Sequence, residues 1–321
     1  MNIIEPRLKI CVIGGSGFVG SELVSQLASL GHWVRVPTRA LSHAAHLGVL
    51  PTVEIVTANV HEPRVLGELL SGMDAVINLV GILNEGGGAT FESAHVELVA
   101  KLIDAARINR VRRLLHMSAL GADAGSGPSR YLRSKGRAEE LLRETGSALE
   151  CTIFRPSVIF GPRDSLTHRF AGLLRLSAGI LPLARARARF APIFVEDVAA
   201  AFSRALRAPA TIGRTYELCG PDVLTLEQLV RLTAQCAALP CHIVPLPDLI
   251  ARLQGIVLGL LPGKPFSLDN FRSLTRDSVC TENGCAALGI EPEHMASVVS
   301  QYLGPQSVAA RFNRYRATVE R

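Results

Sequence analysis

The chain has 321 residues, of which 48% are hydrophobic and 19% are charged, and its formal net charge is +6. This composition excludes a disordered chain and is typical of a globular protein with one large domain or two smaller ones. The first seven residues carry no apolar run of the kind that marks a secretory signal, so we expect a cytoplasmic protein. The basic residues cluster, but no nucleic-acid-binding module is legible, and we expect no nucleic-acid partner.

The seven cysteines are scattered through apolar segments. Their odd number and distribution favour free thiols over a disulfide framework. Two pairs, Cys236/Cys241 and Cys280/Cys285, have a spacing that some zinc sites use. Because several of their neighbours are small or apolar and no histidine completes a metal-binding pattern, we expect no metal, and free, partly buried thiols instead.

A glycine motif lies near the start of the chain. An apolar run from Lys9 leads into Gly14, Gly17 and Gly20, and a helical pattern follows from Ser21 to Leu30. Glycines at this spacing between a strand and a helix predict a turn that holds a dinucleotide pyrophosphate. The residues expected to bind the cofactor at this turn are Gly14, Ser16, Gly17, Phe18, Val19 and Gly20.

The end of the second predicted strand, Trp33 to Arg39, bears on the choice of cofactor. In this fold an acidic residue there binds the adenosine ribose of NAD, but no Asp or Glu occurs between Glu22 and Glu54. Thr38 and Arg39 stand there instead, and a guanidinium can bind a 2′-phosphate. We therefore predict NADP(H) as the preferred cofactor, with NAD(H) as the alternative; a plain surface arginine is the other interpretation of Arg39.

Three further strands are predicted at Val53–Val60, Asp74–Gly81 and Arg113–Ser118, with helical patterns between them. Strand and helix alternate about every 25 residues, which predicts βαβ units and a parallel sheet. At the ends of these strands, we expect cofactor contacts from Asn59, Val60, Leu79, Val80 and Gly81. The predicted fold class is α/β: a Rossmann-type doubly wound parallel sheet with a smaller C-terminal substrate lobe.

Three polar residues are candidates for catalysis. Ser118 ends a strand at the edge where open α/β sheets bind ligands, and Tyr131 and Lys135 share one face of the following helix. We expect the Lys135 ammonium to lower the pKa of the Tyr131 phenol and to hold the nicotinamide ribose. Ser118 would orient a substrate carbonyl, which makes a site for proton transfer coupled to hydride transfer.

The glycine motif, Asn78–Gly81, the Tyr131/Lys135 pair and the segment Arg155–Pro162 together resemble the extended branch of the short-chain dehydrogenase/reductase superfamily, which includes NAD-dependent epimerases and dehydratases. Within it, the chain is most similar to the atypical group containing the NADPH-binding accessory subunit of respiratory complex I and its bacterial relatives. The resemblance implies that Pro156 and Val158 border the nicotinamide and that Ser118, Tyr131 and Lys135 occupy the catalytic positions.

The second half of the chain is less regular. We predict an NAD(P)-binding domain at residues 7–160 with returning strands at about 190–220, and a substrate or partner lobe at 161–189 and 221–321. Arg185, Arg187 and Arg189 alternate with period two, which predicts one face of a strand, either in contact with an anionic ligand or solvated at a sheet edge. A helix is predicted at Leu224–Leu239, with Thr225 as its N-cap.

The longest apolar segment, 249–262, is too short and too polar to span a bilayer. We favour a helix packed on the substrate lobe; the alternative is a helix lying on a membrane or on a hydrophobic partner, which would place the protein at the periphery of the inner membrane.

Two functions follow from these patterns. The first is an NADP(H)-dependent oxidoreductase or epimerase-like enzyme with an unidentified small-molecule substrate. The alternative is a non-catalytic accessory protein that holds NADPH in complex I or in a quinone-related assembly.

Overall fold

The computed structural model describes residues 7–260 and 266–304. The predicted apolar segment 249–262 and the predicted lobe 221–321 therefore extend in part outside the described residues. Within the described ranges the strands are β1 (Lys9–Ile13), β2 (Trp33–Thr38), β3 (Val53–Thr57), β4 (Ala75–Asn78), β5 (Arg113–Met117), β6 (Glu150–Pro156), β7 (Ile159–Phe160), β8 (Ile180–Ala184), β9 (Arg189–Phe190), β10 (Ile193–Phe194), β11 (Thr215–Leu218), β12 (Leu224–Thr225) and β13 (His242–Leu246).

The α-helices of the same ranges are α1 (Phe18–Ser29), α2 (Pro63–Leu70), α3 (Leu98–Ile108), α4 (Arg130–Glu144), α5 (Ser165–Leu176), α6 (Val195–Arg207), α7 (Leu226–Cys236), α8 (Asp248–Leu260), α9 (Leu268–Ser273) and α10 (Met295–Leu303). A π-helical segment, Glu92–Glu97, leads directly into α3.

The central sheet has seven parallel strands in the order β11-β6-β5-β4-β1-β2-β3. Side chains alternate across it, so Ile10 and Val12 of β1 face one hydrophobic cluster with α1 and α6, while Cys11 and Ile13 face another with α2, α3 and α4. The apolar runs in the sequence reflect strands that are covered on both faces. The predicted Rossmann-type α/β fold is confirmed.

Short two-stranded sheets and helices build the region beyond β6. β8 pairs with β13, and β9 pairs with β12. Thr225 caps α7 as predicted, in a reciprocal capping box with Gln228. The predicted start of this helix at Leu224 is two residues early, because Leu224 and Thr225 pair with β9 before the helix begins.

The predicted strand at Arg185, Arg187 and Arg189 is wrong. β8 ends at Ala184, and Arg185 adopts a left-handed conformation with φ of +52°, which turns the chain. The arginines therefore have separate neighbours. Arg185 pairs with Asp248 at 3.0 Å and Arg189 with Asp277 at 2.8 Å, while Arg187 is exposed.

The prediction that all cysteines are free is also wrong. Cys219, which follows β11, forms a disulfide with Cys280. The two residues are 61 positions apart in the sequence, so spacing alone gave no sign of the pair. Cys11, Cys151, Cys236, Cys241 and Cys285 are free thiols.

In the described parts of the chain, no helix has the length and apolar character needed to cross a membrane. The predicted helix in the apolar segment is α8. It packs on the lobe through Ala251 and Gly255, as the favoured interpretation requires, but most of its other apolar side chains are exposed.

Candidate nucleotide-binding and catalytic site

β1 and α1 meet at a turn that has no room for side chains. Gly14 has φ of +83°, and a Cβ there would lie 3.2 Å from the carbonyl carbon of Leu79. A Cβ on Gly20 would lie 2.6 Å from Cα of Gly15, so α1 packs directly on the turn. α1 begins after Gly17, and the first N–H groups of a helix have no acceptor within it. This bare backbone at a helix N-terminus suits a pyrophosphate.

The other predicted residues of the turn join it to the sheet and the core. Ser16 donates a hydrogen bond to Oγ1 of Thr38, 3.5 Å away at the end of β2. Val19 is buried, and Phe18 is half-buried beside Gly161. The glycine turn therefore has a fixed position relative to β2.

The predicted adenosine contacts lie at the ends of β2 and β3. Arg39 is exposed directly after β2, and its positive charge adds to burial and to the charge of Lys101 in lowering the pKa of His61. Val60 is half-buried. The Asn59 amide is engaged locally: it donates to Glu62 at 2.9 Å and accepts from the His61 backbone at 3.1 Å.

A cavity of about 370 Å³ lies at the carboxyl ends of the central strands. The predicted residues that line it are Leu79, Gly81, Ser118, Tyr131, Lys135, Pro156 and Val158. The structure thus brings together two parts of the predicted site. One part is the set of residues at the strand ends that are expected to contact the cofactor, and the other is the set of candidate catalytic residues. The glycine turn, Thr38, Arg39, Asn59, Val60 and Val80 do not line this cavity.

Lys135 is 2% exposed, and its Nζ donates to the backbone carbonyls of Met117 at 3.0 Å and Val80 at 3.3 Å. A Cβ on Gly81 would lie 3.2 Å from Nζ, so the glycine leaves room for the ammonium. Burial lowers the pKa of Lys135 to about 8, although the nearby Glu139 carboxylate acts in the opposite direction. The ammonium thus lies directly between the ends of β4 and β5.

The Tyr131 ring is held edge-on by two aromatic rings, those of Phe91 at 6.0 Å and His95 at 5.6 Å between centroids. Burial raises the pKa of Tyr131 to about 12. The expected lowering by Lys135 is therefore wrong in direction, because burial, which disfavours the charged phenolate, is the cause that shifts this pKa. At neutral pH the phenol therefore keeps its proton.

The Ser118 hydroxyl is already engaged. It donates to Oε1 of Glu139 at 2.5 Å, and this carboxylate is fully buried. Glu139 also accepts from Arg155 at 2.6 and 2.8 Å and from Arg143 at 2.5 Å. The geometry does not support the expected role of Ser118 as the group that orients a carbonyl, since its proton is committed to Glu139.

Sequence reasoning missed His95, which joins three parts of the site. Its Nε2 accepts from the Ile82 backbone at 3.1 Å, and its Nδ1 lies 2.8 Å from Oγ of Ser134, which itself donates to the Tyr131 carbonyl. The network assigns the proton to Nδ1. Burial, with the charge of Lys135, lowers the pKa of His95 to about 2, so the ring is neutral. No motif marks this residue in the sequence.

Sequence reasoning also missed a segment of the C-terminal lobe, here called the strap, Ser273–Ser278, which lines the cavity and begins beside Ser129, the N-cap of α4. The Ser278 carbonyl accepts from the Ser157 hydroxyl at 2.6 Å and from the Ala191 backbone at 2.9 Å. The disulfide partner Cys280 follows two residues later. The strap is therefore held in place by contacts with residues that are distant from it in the sequence.

A doubly wound parallel sheet with a bare glycine turn at its ligand-binding edge defines a nucleotide-binding protein of the Rossmann type. Residues 10–219 match the model of the NAD dependent epimerase/dehydratase family. The chain belongs to this family, and the resemblance noted in the sequence is confirmed.

Two curated relatives and one solved structure illustrate the range of similar proteins. The NADH dehydrogenase [ubiquinone] 1 alpha subcomplex subunit 9 of Arabidopsis thaliana mitochondria is 32% identical over 288 residues, covering 85% of this chain and 71% of that protein. The ceramide reductase of Caulobacter vibrioides is 31% identical over 247 residues, covering 76% and 75%. The fold is similar to that of an Escherichia coli NADPH-dependent quinone oxidoreductase complexed with NADPH, with a TM-score of 0.72, 17% identity and coverage of 91% and 98%.

Proposed function

We propose that the protein is an NADP(H)-dependent oxidoreductase in which Tyr131 and Lys135 carry the proton chemistry. The observation that carries this proposal is that both residues line one cavity with Gly81, at the edge of the sheet that also bears the glycine turn. The turn suits a dinucleotide, because a Cβ on Gly14 or Gly20 would collide with the backbone of Leu79 or Gly15, so β1 and the N-terminus of α1 meet with no side chain between them.

When bound, the nicotinamide cofactor would supply or accept a hydride. Gly14, Gly17 and Gly20 would hold its diphosphate, and Leu79, Gly81, Pro156 and Val158 would border the nicotinamide end. Tyr131 would donate its hydroxyl proton to a substrate oxygen, since burial keeps the phenol protonated. Lys135 would hold the ribose with its ammonium. Ser118 would act as a positioning residue through Glu139 rather than on the substrate.

The preference for NADP(H) rests on Arg39. It is exposed at the end of β2, and no acidic residue lies between Glu22 and Glu54 to bind a free ribose hydroxyl. Arg39→Ala should raise the Kd for NADPH about tenfold or more and leave that for NADH nearly unchanged. Arg64→Ala is a matched control, because its side chain is 91% exposed on α2. Equal effects on both nucleotides would contradict the assignment of the 2′-phosphate to Arg39.

The test of catalysis is oxidation of NADPH by quinones and by ceramide-like ketones, the classes suggested by the names of the relatives. Tyr131→Phe should lower kcat by about 10²–10⁴ with little change in NADPH affinity. A variant with the turnover of the unaltered protein would exclude Tyr131 as the proton donor.

A second function, a nucleotide-holding subunit of a respiratory assembly, is favoured by the similarity to a complex I subunit and by the commitment of Ser118 to Glu139. This function predicts stoichiometric NADPH after purification, slow exchange with labelled NADPH, no turnover, and co-purification with membrane-complex subunits. Rapid exchange together with turnover would favour the enzyme. A cytoplasmic location remains a prediction from the sequence.

A further inference from the structure

α8 presents an apolar face to solvent. Six of its aliphatic side chains have exposures between 50% and 83%: Leu249, Ile250, Leu253, Ile256, Val257 and Leu260. The opposite side of the helix is buried against the lobe at Ala251 and Gly255. At Gly255 a Cβ would lie 3.3 Å from the Leu268 backbone, so α8 lies tightly on the segment that leads into α9. The exposed residues therefore belong to a fixed surface.

These side chains form one continuous stripe. At about 100° per residue, Leu249, Leu253, Ile256 and Leu260 lie within an arc of about 60°, and Ile250 and Val257 widen this arc on one side to roughly 120°. The stripe is bordered by Arg252 on one side and Gln254 on the other. The acidic residue of α8, Asp248, lies at its first position and is paired with Arg185 at 3.0 Å.

The composition of this stripe fits a lipid surface better than a second protein surface. Its outward residues are Leu, Ile and Val, whereas the centres of protein interfaces are enriched in aromatic residues. Six exposed aliphatic side chains on one helix form an apolar patch of the kind that marks an interaction site. A bilayer requires no complementary shape.

The arginines near the stripe also favour a lipid surface as its partner. Arg252 borders the stripe, and the neighbouring α9 carries Arg272, which lines a groove of about 350 Å³ together with Ile256 and Leu260. Two carboxylates also line this groove, and both are engaged: Glu85 pairs with Arg130 at 2.8 Å, and Asp269 accepts from backbone N–H groups of α4. An arginine at the edge of an apolar stripe can place its guanidinium among lipid phosphates while the aliphatic residues enter the acyl region. The net charge of the whole chain, +6, adds attraction to an anionic surface.

We propose that α8 docks this protein on an anionic membrane surface through the stripe from Leu249 to Leu260, with Arg252 at the level of the lipid phosphates. The docking is peripheral. It would bring α9 towards the bilayer, and Asp269 of α9 accepts hydrogen bonds from the backbone N–H groups of Arg130 and Tyr131 at 2.8 and 3.1 Å. The cavity that holds Tyr131 would then lie close to the lipid surface.

The test is co-sedimentation of the full chain with vesicles of phosphatidylcholine alone or mixed with phosphatidylglycerol. The unaltered protein should bind the mixed vesicles, and the double variant Leu253→Asp/Ile256→Asp should bind at least about tenfold more weakly. Ile108→Asp is the control, because Ile108 is an equally exposed aliphatic residue at the end of α3. Arg252→Gln should weaken binding to the mixed vesicles and reduce its dependence on salt.

Thermal unfolding and NADPH binding of the double variant establish that it is folded. The proposal fails if the folded variant binds like the unaltered protein, or if the unaltered protein binds no vesicles. It also fails if light scattering shows a dimer that the double variant converts to a monomer, since a second copy would then cover α8.

Discussion

Lys135 shows how burial and charge oppose each other at a single residue. Its position was predictable, because a tyrosine and a lysine four residues apart share a helical face. The direction in which the pKa of Tyr131 shifts was not predictable, since it depends on the Phe91 and His95 rings that pack around the phenol. Local spacing predicts which groups meet, whereas the solvent that surrounds them depends on the whole fold.

The affinity for NADPH should fall as the pH rises through about 8, because Lys135 loses its proton there. Fluorescence titrations from about pH 7 to about pH 9.5 measure this directly. The Lys135→Met variant should bind NADPH more weakly at every pH, and its affinity should not fall as the pH rises. Since the unfolded chain keeps this proton up to a pKa near 10.5, the contribution of Lys135 to stability should rise with pH between about 8 and 10.5. If the NADPH affinity of Lys135→Met falls by the same amount as the pH rises, a group other than Lys135 is titrating.

Gly20→Ala should abolish nucleotide binding and destabilise the protein by about 1–3 kcal/mol. The added methyl group would meet the backbone of Gly14 and Gly15, which cannot move without displacing β1 from the turn. Gly172→Ala is the matched control, because a Cβ there has nothing within 4 Å, and it should stabilise α5 by about 0.5–1 kcal/mol. Chemical denaturation and NADPH titration give both readouts. A folded Gly20→Ala variant with normal affinity would contradict the close packing of α1 on the turn.

At the scale of elements, α4 organises the site. Tyr131, Lys135 and Glu139 follow one another at intervals of four and share a face, a pattern visible in the sequence. The first two residues reach the cavity, and the third enters the core to meet Ser118 of the β5 end and Arg155 of β6. The sequence predicted the helix, but the partners of Glu139 are up to 21 residues away, beyond the reach of local patterns.

Glu139→Gln should destabilise the protein by about 3–5 kcal/mol, because it removes the buried carboxylate that Arg155 and Arg143 require. Glu140→Gln changes the adjacent, exposed residue and should stay within about 0.5 kcal/mol of the unaltered protein. Urea denaturation of the two variants gives the comparison. If both variants lose the same stability, the network around Glu139 contributes nothing specific.

At the scale of the whole molecule, the sheet was predictable and the lobe was not. Each central strand is a short apolar run bounded by polar or glycine residues, a signal that is local. In the lobe, the turn at Arg185 depends on a positive φ, and the strap is held by Ser157 and by a disulfide, none of which leaves a periodic pattern. The exposure of α8 was likewise hidden, since an apolar segment gives no indication of what covers it.

Loss of the Cys219–Cys280 disulfide should destabilise the protein by about 2–4 kcal/mol, because the bond closes a long loop. Cys280→Ser and treatment of the unaltered protein with a reductant should lower the Tm by similar amounts. Cys241→Ser is the control, because Cys241 is a half-buried free thiol; the reductant should still lower the Tm of this variant. If the reductant leaves the Tm of the unaltered protein unchanged, the bond does not contribute to stability.

The place of β11 at the edge of the sheet has a consequence for biosynthesis. β6 ends at Pro156, whereas its outer neighbour begins only at Thr215. While the ribosome adds the intervening residues, which takes several seconds, the backbone donors and acceptors along one side of β6 have no strand beside them. The nascent chain is then open to pairing with other nascent chains, and it remains so until β11 emerges and closes that side.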